Sequence, residues 1–143
     1  MFIGEYRHNL DEKGRLAVPS KFRVNLREGT VVTKGLDECL FLYPKKEWQR
    51  LAEKLAGLPL GRANSRAFSR LMLAGAMEAN IDKQGRIILP DYLRKYANIR
   101  KKVVVAGLYN RVEIWDETNW EKFKGVAEKT STNIAETLGE LGV

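Results

Sequence analysis

Residue types that mark several classes of protein are scarce or missing in this sequence. Its 143 residues include one cysteine, Cys39, so no internal disulfide can form, and one histidine, His8, which is too few for a Cys/His zinc site. No apolar run approaches the roughly 20 residues of a membrane helix. No basic and apolar leader precedes the first strand-like segment. We therefore expect a cytoplasmic protein with no membrane span, metal or other cofactor.

Sequence signatures of catalysis are missing as well. The phosphate-binding pattern Gly-x-x-x-x-Gly-Lys does not occur. No Ser/His/Asp or Cys/His set has a recognisable spacing, although such sets also assemble from distant positions. We interpret the chain as a binding protein with no small-molecule substrate, and not as an enzyme.

Positive charge is abundant and unevenly placed. The chain has 25 Lys and Arg against 18 Asp and Glu, a net charge of +7. Residues 1–111 carry +11, whereas residues 112–143 carry −4. Such a field favours a polyanionic partner: nucleic acid, an anionic membrane surface or an acidic protein. Hydrophobic residues make up 44% of the chain, enough for the core of one domain or two very small ones.

The chain contains two copies of one segment. Residues 9–23 (NLDEKGRLAVPSKFR) align with residues 80–94 (NIDKQGRIILPDYLR), and six of the fifteen positions are identical. Two copies are too few for a solenoid, so the repeat predicts one domain with internal pseudo-twofold symmetry. Past a single inserted residue, further matches pair Val31-Val32 with Val103-Val104, Tyr43 with Trp115, and Trp48 with Trp120.

Each copy predicts the same order of short elements. An alternating strand from Phe2 to Leu10 leads into a type I turn over residues 11–14, a strand that stops at Pro19, and a short helix. A hairpin and an amphipathic helix follow. We expect helix caps at Ser20, at Asp91 in the second copy, and a capping box from Thr118 to Glu121. We expect buried positions for His8, Cys39, Trp48 and Trp120.

Strands this short, in two related copies, predict a small closed or double-split barrel with added helices, mainly β in class. We place the first repeat at residues 5–47 and the second at residues 76–119. A helical segment at 48–75 connects them, and a C-terminal helix and tail occupy 120–143.

The pattern common to both copies is D-x-x-G-R-[LI]-x-[VL]-P. Its glycine permits backbone angles that a larger residue resists, and its arginine then begins a strand beside the turn. A two-stranded ribbon of this kind fits the DNA major groove, where arginine reads guanine through O6 and N7. The aspartate either orients the arginine or caps the turn. The alternative is a local ion pair that only stabilises the hairpin, by about 0–1 kcal/mol. The candidate DNA-binding residues are Arg15, Arg86, Asp11, Asp82, Lys13, Gly14, Lys83 and Gly85.

A second basic feature is a stripe on the helix between the copies. Arg62, Arg66 and Arg70 recur at the spacing of one helix face. We assign the stripe mainly to structure or to a subunit interface, with phosphate contact as the alternative.

Three segments together closely resemble the MraZ family, bacterial transcriptional regulators of the SpoVT/AbrB superfamily. They are MFIGEY at residues 1–6, NLDEKGRLAVP at 9–19 and NIDKQGRIILP at 80–90. The resemblance covers nearly the whole chain, and neither D-x-x-x-R motif departs from the family pattern.

The resemblance implies a duplicated AbrB-like, swapped-hairpin barrel that assembles into a ring-shaped homo-oligomer, commonly an octamer. It implies a nucleoid-associated regulator, in our interpretation a repressor, that binds G-rich direct repeats in double-stranded DNA upstream of the division and cell-wall genes. Arg15 and Arg86 would contact the DNA. Two alternatives stay open: an antitoxin-like AbrB module that binds a toxin, and a structural ring that binds no DNA.

Overall fold

Short strands and helices alternate along the whole chain. The computed structural model describes residues 1–143. The strands are β1 (Phe2–Asn9), β2 (Arg15–Ala17), β3 (Thr30–Lys34), β4 (Leu40–Pro44), β5 (Met77–Glu78), β6 (Arg86–Ile88), β7 (Lys102–Tyr109) and β8 (Val112–Asp116). The helices are α1 (Ser20–Arg23), α2 (Lys45–Ala56), α3 (Ala63–Ser69), α4 (Asp91–Tyr96), α5 (Glu117–Lys129) and α6 (Ser131–Leu138).

The two copies exchange their first strands. Six strands form one antiparallel sheet in the order β1-β7-β8-β4-β3-β5, so β1 of the first copy pairs with β7 of the second, and β5 pairs with β3. The remaining two strands, β2 and β6, form a separate antiparallel ribbon. The strand order reads the same from either end when the copies are interchanged, as pseudo-twofold symmetry requires.

Both faces of the six-stranded sheet are covered. The ribbon, α1 and α4 cover one face through a cluster of 19 buried residues that includes Phe22, Ile87 and Leu93, which we call the ribbon-side core. The other face packs against α2, α3 and α5 through a cluster of seven buried residues that includes Phe41 and Trp115, the helix-side core. The ribbon and the helices of the connecting segment therefore lie on opposite sides of the sheet.

Strand pairing corrects the sequence alignment of the two copies by one residue. Val31 pairs with Tyr43 and Glu78, whereas Val104 pairs with Trp115 and Arg7. Since Tyr43 matches Trp115 and Glu78 matches Arg7, Val31 is equivalent to Val104 and not to Val103.

The side chains confirm this shift. Val32 and its new equivalent Val105 both belong to the ribbon-side core, whereas Val104 lies in the helix-side core. A slip of one residue moves a strand's side chains to the other face of a sheet. The turn of the first hairpin is one residue longer than the turn of the second, which conceals the shift in the sequence.

The predicted helix caps are wrong. α1 begins at Ser20 itself with Pro19 in the cap position, and α4 begins at Asp91 after Pro90. Thr118 lies inside α5, whose cap residue is Asp116. None of these cap residues makes a side-chain capping hydrogen bond. Pro19 and Pro90 have extended ψ angles of 134° and 157°, so helical backbone begins only at the next residue.

The prediction of a mainly β fold with added helices is confirmed, and the sheet is antiparallel, but no closed barrel is found. β1 and β5 end the six-stranded sheet, and they do not pair with each other. Cys39 is fully buried as predicted, His8 is half-buried, and Trp48 and Trp120 are partly buried against the helix-side core. None of the helices combines the length and apolar composition needed to cross a membrane.

Two neighbouring isoleucines in β6 test the importance of the ribbon for stability. Ile87 is 1% exposed in the ribbon-side core, whereas Ile88 is 56% exposed on the outer face. We expect Ile87→Ala to lower the free energy of unfolding by about 2–5 kcal/mol, because it leaves a cavity. Ile88→Ala, the matched control, should change it little. Urea unfolding followed by circular dichroism measures both, and equal losses would contradict this assignment of faces.

Candidate nucleic-acid interface

The first motif forms a tight turn built around one carboxylate. The backbone N–H of Gly14 donates to the carbonyl of Asp11 at 3.1 Å and closes the turn predicted over residues 11–14. Oδ1 of Asp11 accepts hydrogen bonds from the backbone N–H groups of Lys13 and Arg15, both at 2.9 Å. Its Oδ2 accepts from Nε of Arg15 at 2.5 Å. The aspartate therefore both caps the turn and orients the arginine, the two roles that the sequence left as alternatives.

The second motif repeats this geometry. Oδ1 of Asp82 accepts from the N–H groups of Gln84 and Arg86, both at 2.9 Å, and Oδ2 accepts from Nε of Arg86 at 3.1 Å. The N–H of Gly85 donates to the carbonyl of Asp82 at 3.0 Å. Two segments that share six of fifteen residues thus adopt one hydrogen-bond pattern. We call residues 11–15 and 82–86 the motif loops.

Each motif loop is supported by the arginine that ends the repeated segment of the other copy. The guanidinium of Arg23 lies against Gly85, and that of Arg94 lies against Gly14, with 3.2 Å between its Cζ and the position of an added Cβ. Both glycines have positive φ, near +75° and +79°, so a side chain would be strained there as well as crowded. Nε of Arg23 donates to the carbonyl of Val18 at 2.8 Å, which fixes the guanidinium beneath the loop.

Arg23 and Arg94 support the motif loops, and the sequence analysis did not single them out. The signal was present, because this arginine is one of the six identities between the copies. Spacing alone does not reveal that its contact lies in the opposite copy.

The ribbon places the two motif arginines side by side on its outer face. Leu16 pairs with Ile87 and both side chains point into the ribbon-side core, so Arg15 and Arg86 point outward. They occupy diagonal positions of the β2–β6 ladder, which puts their Cα atoms about 7–8 Å apart. Nη1 of Arg86 lies 3.9 Å from Oδ2 of Asp11, so one carboxylate faces both guanidinium groups. Each arginine donates Nε to the aspartate of its own motif, and no hydrogen bond within the chain uses its terminal amino groups.

Hydrogen bonding lowers the pKa of both motif carboxylates. For Asp11 the largest cause is the backbone N–H of Arg15, followed by partial desolvation, which raises the pKa, and then by the guanidinium of Arg15. The causes for Asp82 follow the same order with Arg86. The turn therefore keeps both groups ionised and paired with arginine at neutral pH.

The remaining sequence-predicted residues fall into two places. Lys13 and Lys83 are exposed at the tips of the motif loops, beside the ribbon. The arginine stripe lies elsewhere: Arg62 precedes α3, Arg66 donates to the carbonyl of Leu60 at 2.9 Å, and Arg70 begins a π-helical turn over Arg70–Ala74. α3 packs on the helix side of the sheet, so the structure does not bring the stripe together with the motif loops.

The fold and the motif loops define a duplicated, mainly antiparallel β protein with a paired-arginine ribbon. The sequence model of the family described as "MraZ protein, putative antitoxin-like" matches it twice, over residues 1–71 and 72–140. The chain belongs to the MraZ family, which confirms the predicted resemblance.

Relatives match it from end to end. The chain is 50% identical over 143 residues to a protein named Transcriptional regulator MraZ from Natranaerobius thermophilus, and 47% identical over 143 residues to one of the same name from Halothermothrix orenii; both alignments cover all of each chain. A third protein of this name, from Desulforamulus reducens, is 49% identical over 141 residues, 99% of each chain.

The pKa of each motif aspartate tests whether the backbone N–H or the guanidinium contributes more to lowering it. By NMR titration we expect both pKa values below about 3.9, the ordinary value for aspartate. Arg15→Gln removes the guanidinium but keeps the backbone N–H, so it should raise the pKa of Asp11 only part of the way, while Asp82 serves as the internal control.

The lowered pKa of each aspartate also predicts how the ordering of the motif loops depends on pH. Because folding lowers each pKa, the ordering that depends on the carboxylate is complete above about pH 4 and is lost as the pH falls through the lowered value. A pKa of Asp11 that returned to the ordinary value in Arg15→Gln would show that the ion pair, and not the turn, sets it.

Proposed function

We propose that this chain is a sequence-specific DNA-binding transcriptional regulator that acts through its ribbon. The observation that carries the proposal is the pair of outward arginines, Arg15 and Arg86, each aligned by an aspartate on a two-stranded ribbon. An antiparallel ribbon fits the major groove, and an arginine whose guanidinium is held in one orientation is suited to O6 and N7 of guanine. The names of the full-length relatives agree with this function.

The surroundings of the two arginines suit a polyanion. Lys13 and Lys83 extend from the motif loops, where they can reach phosphates on either side of a bound groove. Arg23 and Arg94 add two further positive charges beneath the loops. Base contacts from the ribbon would give specificity, and these surrounding cations would give affinity and its salt dependence.

Self-association belongs to the same proposal. We infer a homo-oligomeric ring whose subunits present their ribbons to G-rich direct repeats, with repression of the division and cell-wall genes and a place in the cytoplasm on the nucleoid. An apolar surface on α5 and α6, with Phe123 47% and Val126 65% exposed, supports association between subunits. So does the opposite net charge of residues 1–111 and 112–143. We also infer that the exchanged strands β1 and β5 are a single-chain form of the AbrB swapped-hairpin barrel, with repeats at 5–47 and 76–119.

Two other functions make different predictions. An antitoxin-like module would bind a toxin through a segment separate from its DNA-binding part. A structural ring without DNA binding leaves the aligned arginines without a role. A fluorescence-anisotropy titration of a promoter-derived duplex at two salt concentrations separates these possibilities, because only the regulator binds the duplex better than a scrambled one.

Removal of the motif arginines is the direct test of the ribbon. We expect Arg15→Ala and Arg86→Ala each to weaken specific binding by about 1–3 kcal/mol per lost guanine contact, and by more in a ring that engages several boxes. The affinity for a promoter-derived duplex, measured by anisotropy, reports the loss. The fold should persist by circular dichroism, because both side chains point away from the core. Unchanged affinity in the double variant would contradict the proposal.

The arginine stripe supplies the control for a general loss of charge. Replacement of Arg62, Arg66 and Arg70 by Gln removes one positive charge more than the motif double variant removes. If the stripe is structural or lies in a subunit interface, the salt dependence of binding stays the same or the assembly dissociates by light scattering. A weaker salt dependence with an intact assembly would assign the stripe to phosphates.

The spacing of the boxes tests the ring. Subunits related by rotation in one sense meet the DNA in one orientation, so the boxes should be direct repeats about 10 base pairs apart. Insertion of 5 base pairs between two boxes turns one of them to the opposite face. Multivalent affinity, again measured by anisotropy, should then fall toward that of a single box. Unchanged affinity, or equal binding to an inverted repeat, would exclude a head-to-tail ring.

A further inference from the structure

The outer face of the ribbon carries one large apolar side chain that the proposed function leaves unused. Ile88, the last residue of β6, is 56% exposed and belongs to neither buried cluster. Its neighbour Ile87, 1% exposed, already supplies the apolar contact between β6 and the ribbon-side core. A single exposed isoleucine needs no function by itself, so its place on the ribbon is what decides its meaning.

Ile88 lies directly opposite a motif arginine. The register of the ribbon pairs it with Arg15. The N–H of Leu89 donates to the carbonyl of Gly14 at 2.9 Å, so the ladder hydrogen bond joins the next residues outward and the pair itself occupies a non-hydrogen-bonded position. At such positions the Cα atoms are about 4.5 Å apart and the side chains are at their closest. Ile88 and Arg15 therefore leave the ribbon side by side on the same face.

The two copies differ at this position. The residue equivalent to Ile88 is Ala17, which pairs with Arg86 and is partly exposed. The N–H of Val18 donates to the carbonyl of Gly85 at 2.9 Å, so this pair also occupies a non-hydrogen-bonded position. Both motif arginines thus have an apolar neighbour, but only one of these neighbours is long enough to extend from the ribbon beside its arginine.

DNA offers one apolar group in the groove that a ribbon enters. This group is the C5-methyl of thymine, which proteins recognise by apolar contact. Successive bases of a strand are about 3.4 Å apart along the helix axis. The separation across the Arg15–Ile88 pair is therefore close to one base step. Isoleucine is branched at Cβ and stiff at χ1, so it can contact a methyl group with little loss of side-chain freedom.

We propose that Ile88 is a specificity-determining residue that recognises thymine: its side chain packs against the C5-methyl of a thymine in the base pair next to the guanine that Arg15 contacts. This inference rests on the proposed DNA-binding function and adds a second base to it. Ala17 is too short for the equivalent contact beside Arg86. The box should therefore require a thymine next to one of its two arginine-contacted guanines and accept other bases next to the second.

Removal of one methyl group from the DNA tests the contact. The probe is a duplex that carries one box selected by the wild-type chain from random sequence. The guanine of Arg15 is identified as the position at which Arg15→Ala loses its base preference. Deoxyuridine in place of the adjacent thymine removes only the methyl group, and it should weaken binding by the wild-type chain about fourfold, the effect of one buried methyl.

Substitution of the isoleucine completes the cycle. Ile88→Ala should bind the thymine and deoxyuridine duplexes equally, as measured by fluorescence anisotropy. Ile3→Ala is the matched control, because Ile3 is a 60% exposed isoleucine of β1, outside the ribbon, and this variant should keep the fourfold difference. If Ile88→Ala still distinguished thymine from deoxyuridine as the wild-type chain does, the proposal would be overturned.

Exchange of the two equivalent residues locates the contact. Ala17→Ile combined with Ile88→Ala keeps the composition of the ribbon and moves the isoleucine beside Arg86. Selection from random sequence should then move the required thymine next to the guanine of Arg86. Circular dichroism and urea unfolding check the fold of this variant, and the Ile88→Ala cycle decides on its own if the exchange does not fold. A folded exchange variant that selects the wild-type box would contradict the assignment.

The outcomes separate this inference from the function on which it rests. A wild-type chain that selects no sequence and binds no duplex overturns the proposed function itself. An arginine-dependent guanine preference without an adjacent thymine, or with a thymine whose methyl has no effect, overturns only the role of Ile88. An altered assembly of Ile88→Ala by light scattering, with thymine preference unchanged, would assign the side chain to a subunit contact and overturn it as well.

Discussion

The pairing of β2 with β6 is the contact on which the candidate site depends. Each strand has three residues, and neither has another partner in the chain. Strands this short gain little by themselves, so their stability comes from Leu16 and Ile87, which pair at the centre of the ribbon and are each 1% exposed. The N–H of Val18 donates to the carbonyl of Gly85, and that of Leu89 to Gly14, both at 2.9 Å. The motif loop of one copy is therefore held in place by the other copy.

This contact between the copies explains which parts of the site could be predicted from the sequence. The turn, the glycine and the outward arginine follow from local rules, and Asp11 and Asp82 make the contacts that their spacing suggests. The support of Gly85 by Arg23 could not be predicted, because it joins residues of different copies. The register of β3 was also out of reach, because the second copy is longer before Val104 and the first copy is longer in its hairpin turn. These differences partly offset each other, and only strand pairing separates them.

The sheet separates two kinds of surface. On the ribbon side lie the paired arginines and the motif loops. On the helix side lie α2, α3 and α5 with the partly exposed apolar residues Phe123 and Val126. The sheet therefore keeps the paired arginines apart from the exposed apolar residues of α5. The predicted caps at Ser20 and Thr118 were wrong because Pro19 and Asp116, which precede them, hold the cap positions.

The exchange of first strands also affects how the protein folds during its synthesis on the ribosome. β1 is synthesised before the seven other strands described above, yet Phe2 pairs with Tyr109 in β7. Contacts between residues so distant in sequence form late and slow folding. During most of its synthesis, the nascent chain therefore holds an unpaired strand with apolar side chains, a state open to aggregation. The first copy alone is therefore an incomplete folding unit, because β1 lacks its partner. Translation must pass β7 before β1 can join the sheet.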